Sequence, residues 1–133
     1  MLLEFTVAGP PLSHQTKSKS KLREWREQVR SAAAQTWGDQ PPVEVELKIT
    51  VSYYHEGESV RIDNDNMVKP IQDALIGLVY VDDRCITDTE IRKTSMDGFY
   101  RTRSPVLQRA LLRKIPFLYI VVATAPSHEK PLK

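Results

Sequence analysis

A second cysteine is missing from this sequence. With Cys85 alone, no intramolecular disulfide can form, so the fold must rest on its core. That usage fits a reducing cytoplasm, and Cys85 itself reads as an unreactive, partly buried thiol. Histidine is scarce too: His14, His55 and His128 show no metal-ligand spacing, and all three read as structurally incidental. No apolar run approaches the length of a transmembrane helix, and the opening LLEFTVAGPPL lacks the basic start and length of a signal peptide. The expectation is a cytoplasmic protein with no membrane partner. There is no internal repeat.

What is present suits one soluble globular domain spanning residues 1–133, with 41% hydrophobic and 27% charged residues. The net charge of +2 is unevenly spread. Residues 56–97 hold ten acids against five bases, and the rest of the chain seven acids against fourteen bases. An acidic centre between basic flanks is what a metal-dependent enzyme acting on a polyanion needs, although segregation this mild also arises by chance.

Taken in order, Leu3, Phe5 and Val7 alternate with Glu4 and Thr6 across a strand over 2–8, which Gly9-Pro10-Pro11 ends. The segment LSHQTKSKSK reads as an exposed basic loop without an apolar anchor, carrying Lys17, Lys19 and Lys21. Ser18 or Ser20 caps the next helix. Its buried stripe runs through Leu22, Trp25, Val29, Ala32 or Ala33, and Thr36 or Trp37, and Gly38 stops it. Arg23, Arg26 and Arg30 fall mostly off that stripe and read as a solvated face. After Pro41-Pro42, strict alternation from Val43 to Tyr53 predicts a strand with Val43, Val45, Leu47, Ile49, Val51 and Tyr53 inward.

The chain then reaches RIDNDNMVKPIQDALIGLVYVDD, residues 61–83. Met67, Ile71, Ala74 or Leu75, and Leu78 have the spacing of one helical face. Pro70 is tolerated if that helix begins near Asn66, and Gly77 marks its end. Asp63 and Asp65 share one face if they enter the helix extended, and Asp82-Asp83 meet them if the helix carries the chain back. Such a carboxylate cluster needs a cation, and oxygen donors alone suit a hard one. Plainer readings compete: Asp65 or Asn66 as a helix cap, Asp82-Asp83 as a turn, and Asp65, Lys69 and Asp73 as a surface salt-bridge row. An EF-hand loop is excluded, because Met67 and Val68 stand where it requires an oxygen ligand and glycine. A dehalogenase-type phosphotransferase is excluded by the polar HEGESVRI that precedes Asp63.

Beyond this, Val79 to Val81 is extended, 86–96 reads as a polar, two-faced strand, and MDGFYRTR is a turn with a basic patch. Ser104-Pro105 starts a short helix through Lys114, and 115–123 is a buried strand. The expected fold is α+β: a single compact domain in β-α-β-α-β-(α)-β order, with two main helices on one face of a mixed β-sheet.

DNDNMVKPIQDAL followed at short range by VYVDD resembles the signature of RusA-type Holliday-junction resolvases: Asp-x-Asp-Asn-x-x-Lys, then Asp-Ala-Leu, then Asp-Asp. A proline-containing loop after the first strand also resembles that family, though His14, Gln15 and lysines stand where asparagine or arginine is common. The resemblance implies a homodimeric, magnesium-dependent endonuclease for four-way DNA junctions, with Mn2+ as substitute and no small-molecule cofactor. Asp63, Asp65 and Asp83, rather than Asp82, would bind the metal, and Lys69 would be the catalytic lysine. Lys17, Lys19, Lys21, Arg101 and Arg103 are the expected DNA contacts, lying in polar segments on either side of the acidic centre. Two alternatives stay open: an inactive DNA-binding or phage structural protein of the same fold, and a nuclease preferring flaps or forks.

Overall fold

The computed structural model describes residues 1–57, 61–97 and 102–128. Its elements run β1 (Leu3–Ala8), α1 (Lys19–Trp37), β2 (Leu47–His55), α2 (Asn64–Leu75), a 3-10 turn (Asp83–Cys85), β3 (Ile86–Ser95), α3 (Pro105–Leu112) and β4 (Phe117–Thr124). The strands form one mixed sheet in the order β1-β4-β2-β3, with β2 and β3 parallel and the other neighbours antiparallel. A parallel pair cannot be closed by a hairpin, so the crossover from β2 to β3 carries α2 and the acidic motif.

Alternation divides the side chains between the two faces of the sheet. Leu3, Phe5 and Val7 of β1, Leu47, Ile49, Val51 and Tyr53 of β2, and Leu118, Ile120 and Val122 of β4 share one core with α1 and α2. The stripe of α1 settles on Leu22, Trp25, Val29, Ala33 and Trp37, and Ser18 is its cap. Tyr54 and Phe117 point the other way and stack with ring centroids 4.8 Å apart, beside Leu107 and Ala110 of α3. The two main helices, α1 and α2, thus share one face as expected, and the short α3 covers the opposite one. Ser104 and Tyr119 both donate to Glu4, which ties the start of α3 to β1. Burial, with this contact to a carboxylate, pushes the Tyr119 hydroxyl up to about 12.

Three local expectations also change. The strand predicted from Val43 begins at Leu47. Val43 instead donates to Val79 (2.9 Å) and accepts from Val81 (3.1 Å), so the alternation continues but the partner does not, and Val45 lies exposed. The basic segment is anchored, because Pro11 is buried and Leu12 packs on the core; α1 starts at Lys19, placing Lys19 and Lys21 in its first turn. Arg30 is no bystander on a solvated face. Its Nη1 donates to the carbonyls of Ala74 (3.1 Å) and Ile76 (2.8 Å), where the end of α2 leaves acceptors without helical partners.

Candidate active site

Helix α2 begins at Asn64, two residues earlier than the position of Pro70 suggests. Asp63 is its N-cap with extended backbone (φ −66°, ψ 145°), whereas Asp65 is already helical, so the two do not share a face as strand residues would. The side chain of Asp63 makes no cap hydrogen bond, an unusual state for an aspartate at this position. Asp65 lies exposed in the first turn, where the helix dipole favours negative charge.

The early start puts Pro70 inside the helix, where its absent N–H leaves the Asn66 carbonyl without an α-helical donor. The backbone N–H of His14 supplies one at 2.8 Å. The proline is thereby accommodated, and the loop that carries Lys17 is docked against the acidic turn.

After α2 the chain reverses at Gly77, whose φ of +81° is left-handed and whose N–H donates to Tyr80 (2.7 Å). Tyr80 is fully buried, and its hydroxyl donates to the Gln72 carbonyl at 2.5 Å. Burial, reinforced by the nearby Asp73 and Asp83, holds its pKa far above the usual tyrosine range. This bond fixes the return segment beside α2 and sets where Asp82 and Asp83 fall.

The two aspartates then part ways. Asp82 caps the 3-10 turn, accepting from the Arg84 amide at 3.0 Å and pairing with the Arg84 guanidinium at 3.4 Å. The Arg84 amide is the main reason its carboxyl lies below the usual range. Asp83 turns instead to Lys69, with Oδ2 3.4 Å from Nζ. Lys69 also pairs with Asp73 Oδ1 at 2.7 Å, so its ammonium bridges the helix and the return segment. The hydrogen bond to Asp73 is the largest cause of a raised Lys69 pKa. Lys69 is therefore an ammonium at neutral pH and cannot serve there as a general base.

Among the described residues, no three His, Cys, Asp or Glu side chains are grouped so as to hold a metal ion. The donor set nevertheless suits a hard divalent cation in kind: Asp63, Asp65 and Asp83 offer oxygen only, and the Asp63 side chain is not consumed in capping. Of the expected DNA contacts, Lys17, Lys19, Lys21 and Arg103 are exposed, and Arg101 lies outside the described residues.

A family model, endodeoxyribonuclease RusA, matches residues 8–103. The chain belongs to the endodeoxyribonuclease RusA family. No curated protein matches it. The RusA match takes in the whole acidic motif, the docked loop and α1. It ends before α3 and β4, although β4 lies between β1 and β2 in the sheet. Membership makes the protein an endodeoxyribonuclease in kind, acting on DNA. No helix among the described residues is long and apolar enough to cross a membrane.

Two RusA-domain residues important to this geometry were not among the expected site residues. Asp73 could be found from its spacing to Lys69, which a surface salt-bridge row shares. Tyr80 had no local signal, since its role depends on a contact with a carbonyl eight residues back.

Proposed function

We propose that the protein is a magnesium-dependent Holliday-junction resolvase, cutting paired phosphodiester bonds in four-way DNA junctions during recombination and repair. The observation that carries this reading is the Lys69–Asp83 contact, which joins the two halves of the motif across fourteen residues. Asp63, Asp65 and Asp83 would hold the metal, which supplies Lewis-acid polarisation of the phosphate and a more acidic bound water. The Lys69 ammonium lies beside Asp83, where it can stabilise negative charge building on the phosphorus oxygens. A homodimer would present one such site to each of two symmetry-related strands, as a two-fold substrate requires. The residues proposed to contact DNA are Lys17, Lys19, Lys21, Arg101 and Arg103.

The test is cleavage of a synthetic mobile four-way junction beside linear duplex, flap and fork substrates, with and without metal. Magnesium and manganese are expected to support cutting and calcium to bind without supporting it. Calcium ligands lie at about 2.3–2.6 Å in adaptable geometry, against about 2.0–2.1 Å for octahedral magnesium, so calcium fills such a site without aligning water and phosphate. Undiminished cleavage in EDTA would exclude the metal-dependent mechanism. Preference for flaps or forks over the junction would change the substrate assignment, and binding without cutting would favour an inactive DNA-binding protein.

The lysines have their own signature. Lys19 and Lys21 stand in the first turn of α1, which contains no acid, and there the helix dipole disfavours positive charge. An anion brought to that end would relieve the conflict. Each phosphate contact removed is expected to lower the magnitude of the salt slope of binding by about 0.9 on B-form arms. Replacing Lys17, Lys19 and Lys21 together by alanine, followed by junction binding across a salt series, measures this. An unchanged slope would return the segment to plain solvent exposure.

A further inference from the structure

Lys93 lies on the edge strand β3, opposite Tyr53 of β2 in the parallel register. Tyr53 belongs to the core under α1 and α2, and residues opposite each other in a sheet project to the same face. Thr89, Ile91 and Lys93, spaced by two, therefore make one row on the face that carries α2. Each engages that side of the molecule differently. Thr89 accepts from Gln72 of α2 at 3.3 Å, and Ile91 packs at the margin of the core. Lys93 Nζ donates to the backbone carbonyl of Ile62.

Ile62 immediately precedes Asp63, whose side chain is not engaged in capping. The Ile62 side chain packs on the core while its carbonyl is held from β3, so the residue leading into Asp63 is held through both its side chain and its carbonyl. Lys93 is half-buried and, among the described residues, forms no ion pair. Its ammonium is committed to main chain, in contrast with Lys69, whose ammonium is committed to carboxylates.

We propose that Lys93 is a positioning residue of the acidic site, holding the Ile62–Asp63 peptide so that the Asp63 carboxylate is aimed at a divalent cation. This rests on the reading of Asp63 as a metal ligand. A lysine acting only through its charge would repel the cation, so its removal would tighten binding. A lysine that holds the backbone does the reverse, and the sign of the change separates the two.

The measurement is Mn2+ binding to the full-length protein, read from the free-ion paramagnetic resonance signal. It is made on the wild type, Lys93→Met, Lys93→Arg, Asp63→Asn and the Lys93→Met/Asp63→Asn pair. Melting curves and junction binding in EDTA are recorded alongside. Lys93→Met is expected to weaken Mn2+ binding about 10–100-fold, the usual effect of losing a group that orients a ligand. Melting and metal-free junction binding should stay close to wild type, and Lys93→Arg, which keeps a donor, should restore most of the affinity. On the Asp63→Asn background the same change should add almost nothing, because the two act through one group. Unchanged or tighter Mn2+ binding in Lys93→Met, or full additivity with Asp63→Asn, overturns the proposal. If Lys93→Met does not fold, Lys93→Gln, with a shorter reach but a donor, should show an intermediate loss, and wild-type affinity there overturns it equally. A wild-type protein that binds manganese through Asp63 but leaves junctions uncut would sink the resolvase reading and leave this one standing. A wild-type protein that binds no manganese overturns the role of Lys93.

Discussion

Changing Asp63, Asp65 or Asp83 to asparagine is expected to abolish strand cleavage while the protein stays folded and still binds a four-way junction in EDTA. Asparagine keeps the size and a hydrogen-bonding oxygen but removes the charge on which a hard cation depends. The fold should tolerate each change for reasons visible at each position. The Asp63 side chain makes no cap bond, Asp65 is exposed, and Asp83 loses one of two carboxylates facing Lys69 while Asp73 remains. Metal-free binding should persist or tighten, since a repulsive charge facing the phosphates disappears. Two unit charges ~4 Å apart interact by about 4 kcal/mol at an effective dielectric of 20. Paired assays decide: a gel shift in EDTA and cleavage of the same junction in magnesium. Normal cutting by the variants would refute the catalytic assignment. Loss of binding together with cutting would make these aspartates part of the fold or of the DNA surface.

Lys69→Ala should lower the cleavage rate on the order of a hundredfold or more with the fold intact. The competing view is that Lys69 merely completes a surface row. Its pair with Asp73 has the lysine N-terminal to the acid, the weaker order for such a helical pair, and pairs of this kind contribute about 0.3–0.5 kcal/mol. Its side chain is 40% exposed, so screening reduces the pair further. A stability role therefore predicts a barely shifted melting curve and an unaltered rate. A role in stabilising transition-state charge predicts a nearly unshifted melting curve and a collapsed rate. Near-wild-type turnover would settle the matter for the surface row.

The pH dependence of Lys69 follows from its raised pKa, caused first by the hydrogen bond to Asp73. A group whose folded pKa lies above its unfolded one stabilises the fold fully below the ordinary lysine value and loses that contribution as pH rises through the raised value. Lys69 thus stays charged across the neutral and mildly alkaline range. Titration of Lys69 should therefore leave no mark on the rate in that range, and the pH–rate profiles of wild type and Asp73→Asn are expected to have the same shape below the ordinary lysine value, departing from each other only above it.

Much of this protein is dictated locally. Alternation of apolar residues marks β1 and most of β2, three-and-four spacing marks α1, and Ser18 and Ser104 cap α1 and α3 through their own hydroxyls. The Asp-x-Asp, lysine and Asp-Asp constellation is likewise a matter of residue order, which is why family membership is legible in the chain. These signals survive because period, capping and motif spacing each depend on residues within a few positions of one another.

What needed the tertiary structure depends on distant partners. Alternation continues back to Val43, but only the neighbouring Val79–Val81 segment takes that residue out of the sheet. Nothing local sends α3 to the far face; Tyr54, Phe117 and the Glu4–Ser104 bond do. Pro70 argued for a later start to α2 until the His14 amide satisfied the Asn66 carbonyl. Asp82 and Asp83 are adjacent and chemically identical, and the buried Tyr80 anchor and the approach of Lys69 tell them apart. Lys93 and Arg30 look like surface charges because their acceptors are backbone carbonyls 31 and 44 to 46 residues away. A carbonyl belongs to every residue, so a sequence carries no mark of which one a distant lysine or arginine will find.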